Sequence, residues 1–297
     1  MTPREAGFLL LTSHLGDPER KILTVAQLRL LARRMQLMVP INGQRQVEPK
    51  DLVGLGYDRQ TAERIVALLM DDAQLQWYVK TAQKQDCCPI TRVTDGYPGI
   101  LRQRLGLDAP GCLWAKGDVG LLAKPAVSLV GSRDLMPENW AFAREVGIQA
   151  ARQGYALVSG NARGADRTAQ DACLEAVGCV ISVVADSLTE HAARERVLWL
   201  SEDGFELPFS RLRALSRNRI IHGLGEKTFV AQCTHGKGGT WDGTVRNLRQ
   251  GLSPVFCFRD DSDGTRALSD RGAQLIRQED LADFQALQPN MLNFIDQ

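Results

Sequence analysis

Three features of this 297-residue sequence predict an α/β fold, a doubly wound parallel sheet preceded by a small all-helical domain. From Pro125 onward, short apolar runs alternate with longer helical patterns, the order that strand–helix–strand units produce. The run Cys179-Val180-Ile181-Ser182-Val183-Val184 lacks the in–out alternation of a half-exposed strand, as expected where helices cover both faces of a sheet. Residues 1–85 instead place apolar groups at helical spacing. At roughly 150 residues per domain the length suits two units. The expected division is a helical domain at 1–85, a connector with a candidate edge strand at 86–124, and the sheet domain at 125–297.

The helical domain reads as SAM-like or helix-hairpin-helix-like. Its first clear helix runs through Val25-Ala26-Gln27-Leu28-Arg29-Leu30-Leu31-Ala32, and the polar break Ile41-Asn42-Gly43-Gln44 reads as a loop. A second amphipathic helix spans residues 59–69 and follows Gly54-Leu55-Gly56, a tight helix–helix turn or a backbone approach to phosphate. In the sheet domain, strands are expected at residues 126–131, 155–158, 179–184, 228–231 and 254–258. The helix after the first strand starts near Pro137-Glu138, since proline and an early acid both suit a helix N-terminus. Its buried face is Ala143, Val146, Gly147 and Ala150.

Composition excludes several classes. Hydrophobic residues make up 44% and charged residues 24%, which is ordinary for a packed protein and argues against disorder. With 36 Lys+Arg against 35 Asp+Glu, the net charge of +1 excludes attraction to nucleic acid or membrane by bulk charge. No apolar run nears the ~18 residues of a membrane span, and residues 1–20 lack a signal-peptide pattern. Seven scattered cysteines, an odd number without CxxC spacing, suit a reduced cytoplasmic protein without structural zinc.

In an open parallel sheet, ligands meet the loops at the C-terminal strand ends. Here three such loops are glycine-rich and basic: Gly131-Ser132-Arg133, then Ser159-Gly160-Asn161-Ala162-Arg163-Gly164, then Thr234-His235-Gly236-Lys237-Gly238-Gly239-Thr240. Glycine lets main-chain N–H groups approach an anion, and helix N-termini favour negative charge. Residues 205–249 carry eight basic residues against three acidic ones, a local excess of +5. Phe205, Phe209 and Trp241 lie in or beside that stretch and either stack on bases or pack in the core. Asp166 and Asp186, near strand ends, cap loops, orient an arginine or contact a ribose. His222 suits a packed helix position. Walker A, GxSxG, HExxH and complete GxGxxG patterns are missing, so no catalytic residue, cofactor or metal is expected.

Val127-Ser128-Leu129-Val130-Gly131-Ser132-Arg133, Val158-Ser159-Gly160-Asn161-Ala162-Arg163-Gly164-Ala165-Asp166 and Ser216-Arg217-Asn218-Arg219-Ile220-Ile221-His222-Gly223-Leu224 resemble, in order and spacing, the DNA-processing protein A family (DprA, also called Smf). Asp95-Gly96-Tyr97-Pro98 and Leu113-Trp114-Ala115-Lys116-Gly117-Asp118 resemble that family's lead-in to its first Rossmann strand. The resemblance covers residues 86–258 and implies an extended Rossmann-like domain that binds single-stranded DNA without catalysis. It further implies a homodimer that helps load the RecA recombinase in natural transformation. Carried over by motif, Ser132, Arg133, Ser159, Gly160, Arg163, Gly164, Arg217, Asn218 and Arg219 line the DNA pocket, to which the third loop adds Lys237, Gly238 and Gly239. This chain departs from the pattern at Gln232, usually glutamate, and in the longer loop at residues 236–244. Two other roles stay open: an antitoxin or regulator of a toxin partner in a phage-defence locus, and a nucleotide-binding or nucleotide-cleaving enzyme of the wider superfamily.

Overall fold

The computed structural model describes residues 1–36 and 46–289; the expected loop at residues 41–44 lies outside them. Five helices open the chain: α1 (Pro3–Thr12), α2 (Val25–Met35), α3 (Pro49–Gly54), α4 (Arg59–Leu69) and α5 (Asp72–Gln83). Thr2 and Thr24 form capping boxes that satisfy the first N–H groups of α1 and α2. Leu11, Leu31, Leu52, Ala62, Ile65 and Leu68 close a small core of their own. Gly56, at φ 85°, makes the turn between α3 and α4, so the Gly54-Leu55-Gly56 stretch is a helix–helix connection.

The remainder builds one nine-stranded sheet. In chain order come β1 (Cys87–Thr91), α6 (Gly99–Leu105), β2 (Cys112–Gly117), β3 (Ala126–Val130), α7 (Pro137–Arg152), β4 (Ala156–Ser159), α8 (Ala165–Glu175), β5 (Cys179–Val184), β6 (Val197–Glu202), α9 (Arg211–Ser216) and α10 (Asn218–Leu224). Then follow β7 (Thr228–Val230), α11 (Gly238–Gln250), β8 (Val255–Phe258), α12 (Asp263–Ser269) and β9 (Gln274–Ile276). The sheet order is β1-β2-β6-β5-β4-β3-β7-β8-β9, with β1–β2 and β2–β6 antiparallel and all other pairs parallel. The five expected strands are present because their residues serve two cores at once. In β3, Ala126 and Val130 face the layer of α6, α10 and α11, whereas Val127 and Leu129 face α7 and α8. Both faces are apolar, so the run reads as continuous.

Residues 86–124 do more than connect. They supply two antiparallel strands that extend the sheet past β6, where one edge strand was expected. Trp114 on β2 is fully buried and packs edge-on against Tyr78 of α5, with Phe205 completing the cluster at centroid distances of 5.1–5.4 Å. That aromatic cluster joins the helical region to the sheet. Strands β6 and β9 were not anticipated: β9 has three residues, too short for a periodic signal, and β6 starts directly after Arg196 at φ 63°. Helix α7 begins with Pro137 as expected. A Cβ at Gly147 would lie 2.1 Å from Ala169 O, so glycine is what lets α7 and α8 touch.

Candidate nucleic-acid interface

Chain direction switches between β3 and β7: the succeeding strands run outward to β4 and β5 on one side and to β8 and β9 on the other. A crevice opens at the carboxyl ends of strands at such a switch. Here it is a cleft of about 550 Å³ whose walls include Gly131, Ser132, Arg133, Arg211, Arg217, Asn218, Lys237, Gly238 and Gly239. A recess of about 220 Å³ adjoins it, sharing Arg133, Ala162, Phe209, Ala214 and Arg217 and adding Gly160 and Arg163.

The first loop is tied to the third. Ser132 N–H donates to Gln232 O at 2.9 Å, while Gln232 Oε1 accepts from Met136 N–H at 2.9 Å. Gln232, where the family pattern has glutamate, thus staples two cleft loops together. The exposed Arg133 side chain makes no hydrogen bond or ion pair among the described residues, and the same holds for Arg211 and Lys237. These are the cations the cleft offers to a ligand. Gly164, at φ 86°, would place a Cβ 2.3 Å from Arg133 O, so only glycine lets the second loop pass under the first.

The second loop is built differently from expectation. Its Gly160 and Ala162 N–H groups both donate to Asp166 Oδ2 at 3.1 Å, so they are spent internally. The glycine at 160 serves another purpose: a Cβ there would sit 1.9 Å from Arg217 Nη1. Arg217 is 8% exposed, donates through Nη1 to Val183 O, and forms the cleft floor. Burial raises the Asp166 carboxyl, with Arg217 and the two amides pulling it the other way. Ser159 is fully buried and accepts from Gln170 Nε2 at 2.6 Å, so its hydroxyl faces the interior. Arg163 pairs with Asp134 at 2.7 Å on the exposed rim.

The third loop leads into the 13-residue α11, whose first N–H groups lack intrahelical partners at the cleft wall. Asn218 Nδ2 donates to Gly239 O at 3.0 Å and Thr240 Oγ1 to Gly131 O at 2.9 Å, which hold that helix end in place. Arg219 is not brought to the cleft. Its guanidinium grips Glu202 and donates to Ser216 Oγ at 2.7 Å, with both charged side chains nearly buried. Helical geometry was the available signal, because residues two apart point about 200° apart. The basic excess over 205–249 therefore divides. Arg213 also turns inward, donating to Ala185 O, Leu207 O and Pro208 O within 2.9 Å, and Arg246 pairs with Asp108.

The aromatics divide as well. Phe205 is 2% exposed in the core, and Trp241 is 8% exposed under the Arg271 guanidinium. Phe209 is 59% exposed and borders both the cleft and the recess. Arg213, which gathers the carbonyls on either side of residues 203–206, holds the segment that presents it.

An open, mostly parallel α/β sheet with a cleft at its switch point places the protein in the doubly wound α/β class, and the exposed cations around that cleft give it a positive potential. The model of the DNA recombination-mediator protein A family matches residues 89–285, and the chain belongs to that family. It is 32% identical over 233 residues to DNA processing protein DprA of Streptococcus pneumoniae, covering 73% of this chain and 79% of that one. It is 31% identical over 185 residues to DNA processing protein DprA of Bacillus subtilis, a match that spans 62% of that relative's length. The structure of the Streptococcus pneumoniae protein superposes with a TM-score of 0.69 at 26% identity, covering 95% of this chain and 97% of that one. DNA processing protein A from Helicobacter pylori shares the fold at a TM-score of 0.56 and 23% identity, covering 67% and 95%. Among the described residues, no helix is long and apolar enough to cross a membrane.

Proposed function

We propose that this chain binds single-stranded DNA in the cleft between the β3, β4 and β7 loops, as a DNA-processing protein that performs no chemistry on the strand. The observation that carries this reading is the convergence of three cations without a hydrogen bond or ion pair among the described residues, Arg133, Arg211 and Lys237, with the α11 N-terminus and the exposed Phe209 around one cleft. A charged groove holds phosphates and an exposed ring stacks a base, a combination that duplex DNA, with its bases inside, does not exploit. The structure of the Helicobacter pylori relative is described as revealing a single-stranded DNA binding mode, which supports the same reading here. Homodimer formation and RecA as a partner belong to the proposal too, and sedimentation and pull-down with purified RecA test them.

The primary test is titration of labelled oligonucleotides at several salt concentrations. Single strands are expected to bind more tightly than duplex, with log K falling by about 0.7 per phosphate for each unit of log salt. Equal affinity for duplex, or no binding at low salt, overturns the proposal. Oligonucleotide and nucleoside monophosphates are expected back intact after incubation; any product overturns the non-catalytic part.

A further inference from the structure

The recess beside the cleft shares Arg133, Phe209 and Arg217 with it and differs from it in adding the Asp186 carboxylate. At about 220 Å³ it falls below the ~300 Å³ at which sites for whole drug-sized ligands begin, so it suits a single ring system. Its walls are the 160–163 loop, residues 184–186 at the end of β5, Phe209 and Ala214, together with Arg133 and Arg217, which it shares with the cleft. Several main-chain groups around it are engaged elsewhere. Val183 O accepts from Arg217, Ala185 O accepts from Arg213 at 2.8 Å, and the Gly160 and Ala162 amides serve Asp166.

One carboxylate with spare capacity remains, Asp186. Its Oδ1 pairs with His191 Nε2 at 2.9 Å, and the His191 ring lies on Trp199 with centroids 4.3 Å apart and planes 20° apart. The stacked imidazole holds the carboxylate in place. Oδ2 makes no hydrogen bond to any other described residue. Burial by itself raises the Asp186 carboxyl, but the His191 contact, with help from its own backbone amide and the Arg217 charge, holds the group below its ordinary value, so it is ionised near neutrality. A fixed carboxylate repels phosphate. In a cleft for a polyanion it is favourable only toward the part of the ligand that carries donors, and in single-stranded DNA that part is the base edge.

We infer that this recess is a base pocket that selects bases carrying an exocyclic amino group, with Asp186 as the specificity-determining acceptor and His191 as its positioning residue. The inference rests on the proposed single-strand binding and adds a preference to it. Cytosine presents its N4 amino group to a carboxylate, whereas uracil and thymine present the O4 acceptor at that position. Phe209 supplies an apolar face that every base shares, so the selectivity lies with Asp186.

Oligodeoxycytidine and oligodeoxyuridine of equal length differ on that base edge and not in backbone or methylation, which makes them the probes. With the full chain, fluorescence anisotropy should show oligodeoxycytidine binding about tenfold more tightly, the worth of one hydrogen bond to a charged acceptor. Asp186→Asn should bring the two within about twofold by weakening oligodeoxycytidine while leaving oligodeoxyuridine unchanged or tighter. His191→Phe, which retains the stack and removes the hydrogen bond, should reduce the ratio as well. Binding of both probes with equal affinity by the unaltered protein overturns the inference and leaves single-strand binding standing. An unchanged ratio in Asp186→Asn, or an equal loss on both probes, also overturns it, because a carboxylate that only balances Arg217 affects every strand alike. Failure to bind either probe overturns the underlying single-strand reading itself.

Discussion

Replacing Gly160 by alanine isolates how the cleft floor is assembled. A Cβ at this position would lie 1.9 Å from Arg217 Nη1, 2.2 Å from Cζ and 2.3 Å from Nη2, against ordinary contacts of 3.4 Å or more. Gly160 is not among the residues of positive φ, so the backbone accepts alanine and the whole cost falls on Arg217. The guanidinium must leave, surrendering its bond to Val183 O and its electrostatic hold on the buried Asp166. Removing one partner from a buried charge pair costs about 3–5 kcal/mol. The displaced group can swing into the open cleft and stay hydrated, which places the expectation near the lower end, about 3 kcal/mol. At about 2–4 °C per kcal/mol, the melting temperature should fall by about 6–12 °C. Gly7→Ala in α1, where a Cβ meets nothing within 4 Å, is the control and should be neutral or stabilising by up to about 1 kcal/mol. If the collision with Arg217 is the cause, Gly160→Ala costs little once Arg217→Ala is already present. A melting temperature for Gly160→Ala within about 2 °C of the unaltered protein, or full additivity in the double variant, refutes the reasoning.

Arg133→Ala and Lys237→Ala should each lower the salt-dependence slope of DNA binding by about 0.7, whereas Arg219→Ala should leave it unchanged and cost about 3–5 kcal/mol of stability by stranding Glu202. Salt titrations with parallel denaturant unfolding distinguish the two. Phe209→Ala should weaken single-strand binding by about 1–3 kcal/mol without destabilising the fold, while Phe205→Ala should cost about 3–5 kcal/mol of stability. His222 is buried, its Nδ1 lies 3.1 Å from Asn247 Nδ2, and burial lowers its pKa to about 4. A folded value below the unfolded one means stability is fully present above pH 6.5 and is lost as pH falls toward 4, by about 3 kcal/mol at the end of that window. Urea unfolding at pH 7 and pH 4.5 should show the unaltered protein losing about 2–3 kcal/mol more than His222→Gln, and equal losses would rule this out.

The near-balance of charge over the whole chain takes on a different meaning once side chains are located. Of the eight cations in residues 205–249, Arg211, Arg217 and Lys237 line the cleft, while Arg213 and Arg219 are fastened to strand-end carbonyls and a carboxylate. Composition counts both groups alike. The Asp186–His191 pair was equally hidden, because its partners come from the loop between β5 and β6, and β6 itself had not been anticipated.

Local sequence was enough to locate β3, β4, β5, β7 and β8, the start of α7 at Pro137, and the glycine-rich loops that follow three of those strands. The reason is that backbone conformation answers to nearest neighbours: apolar runs, a proline at a helix start, a glycine where a Cβ would collide. Tertiary structure alone decided which side chains those loops present. Arg217 became floor and Arg219 a strut, Ser159 turned inward, Phe205 joined the core, and Phe209 stayed outside. A long side chain goes to whichever acceptor lies within its reach after folding, and that acceptor, Val183 O for Arg217 or Glu202 for Arg219, sits on a strand distant in sequence.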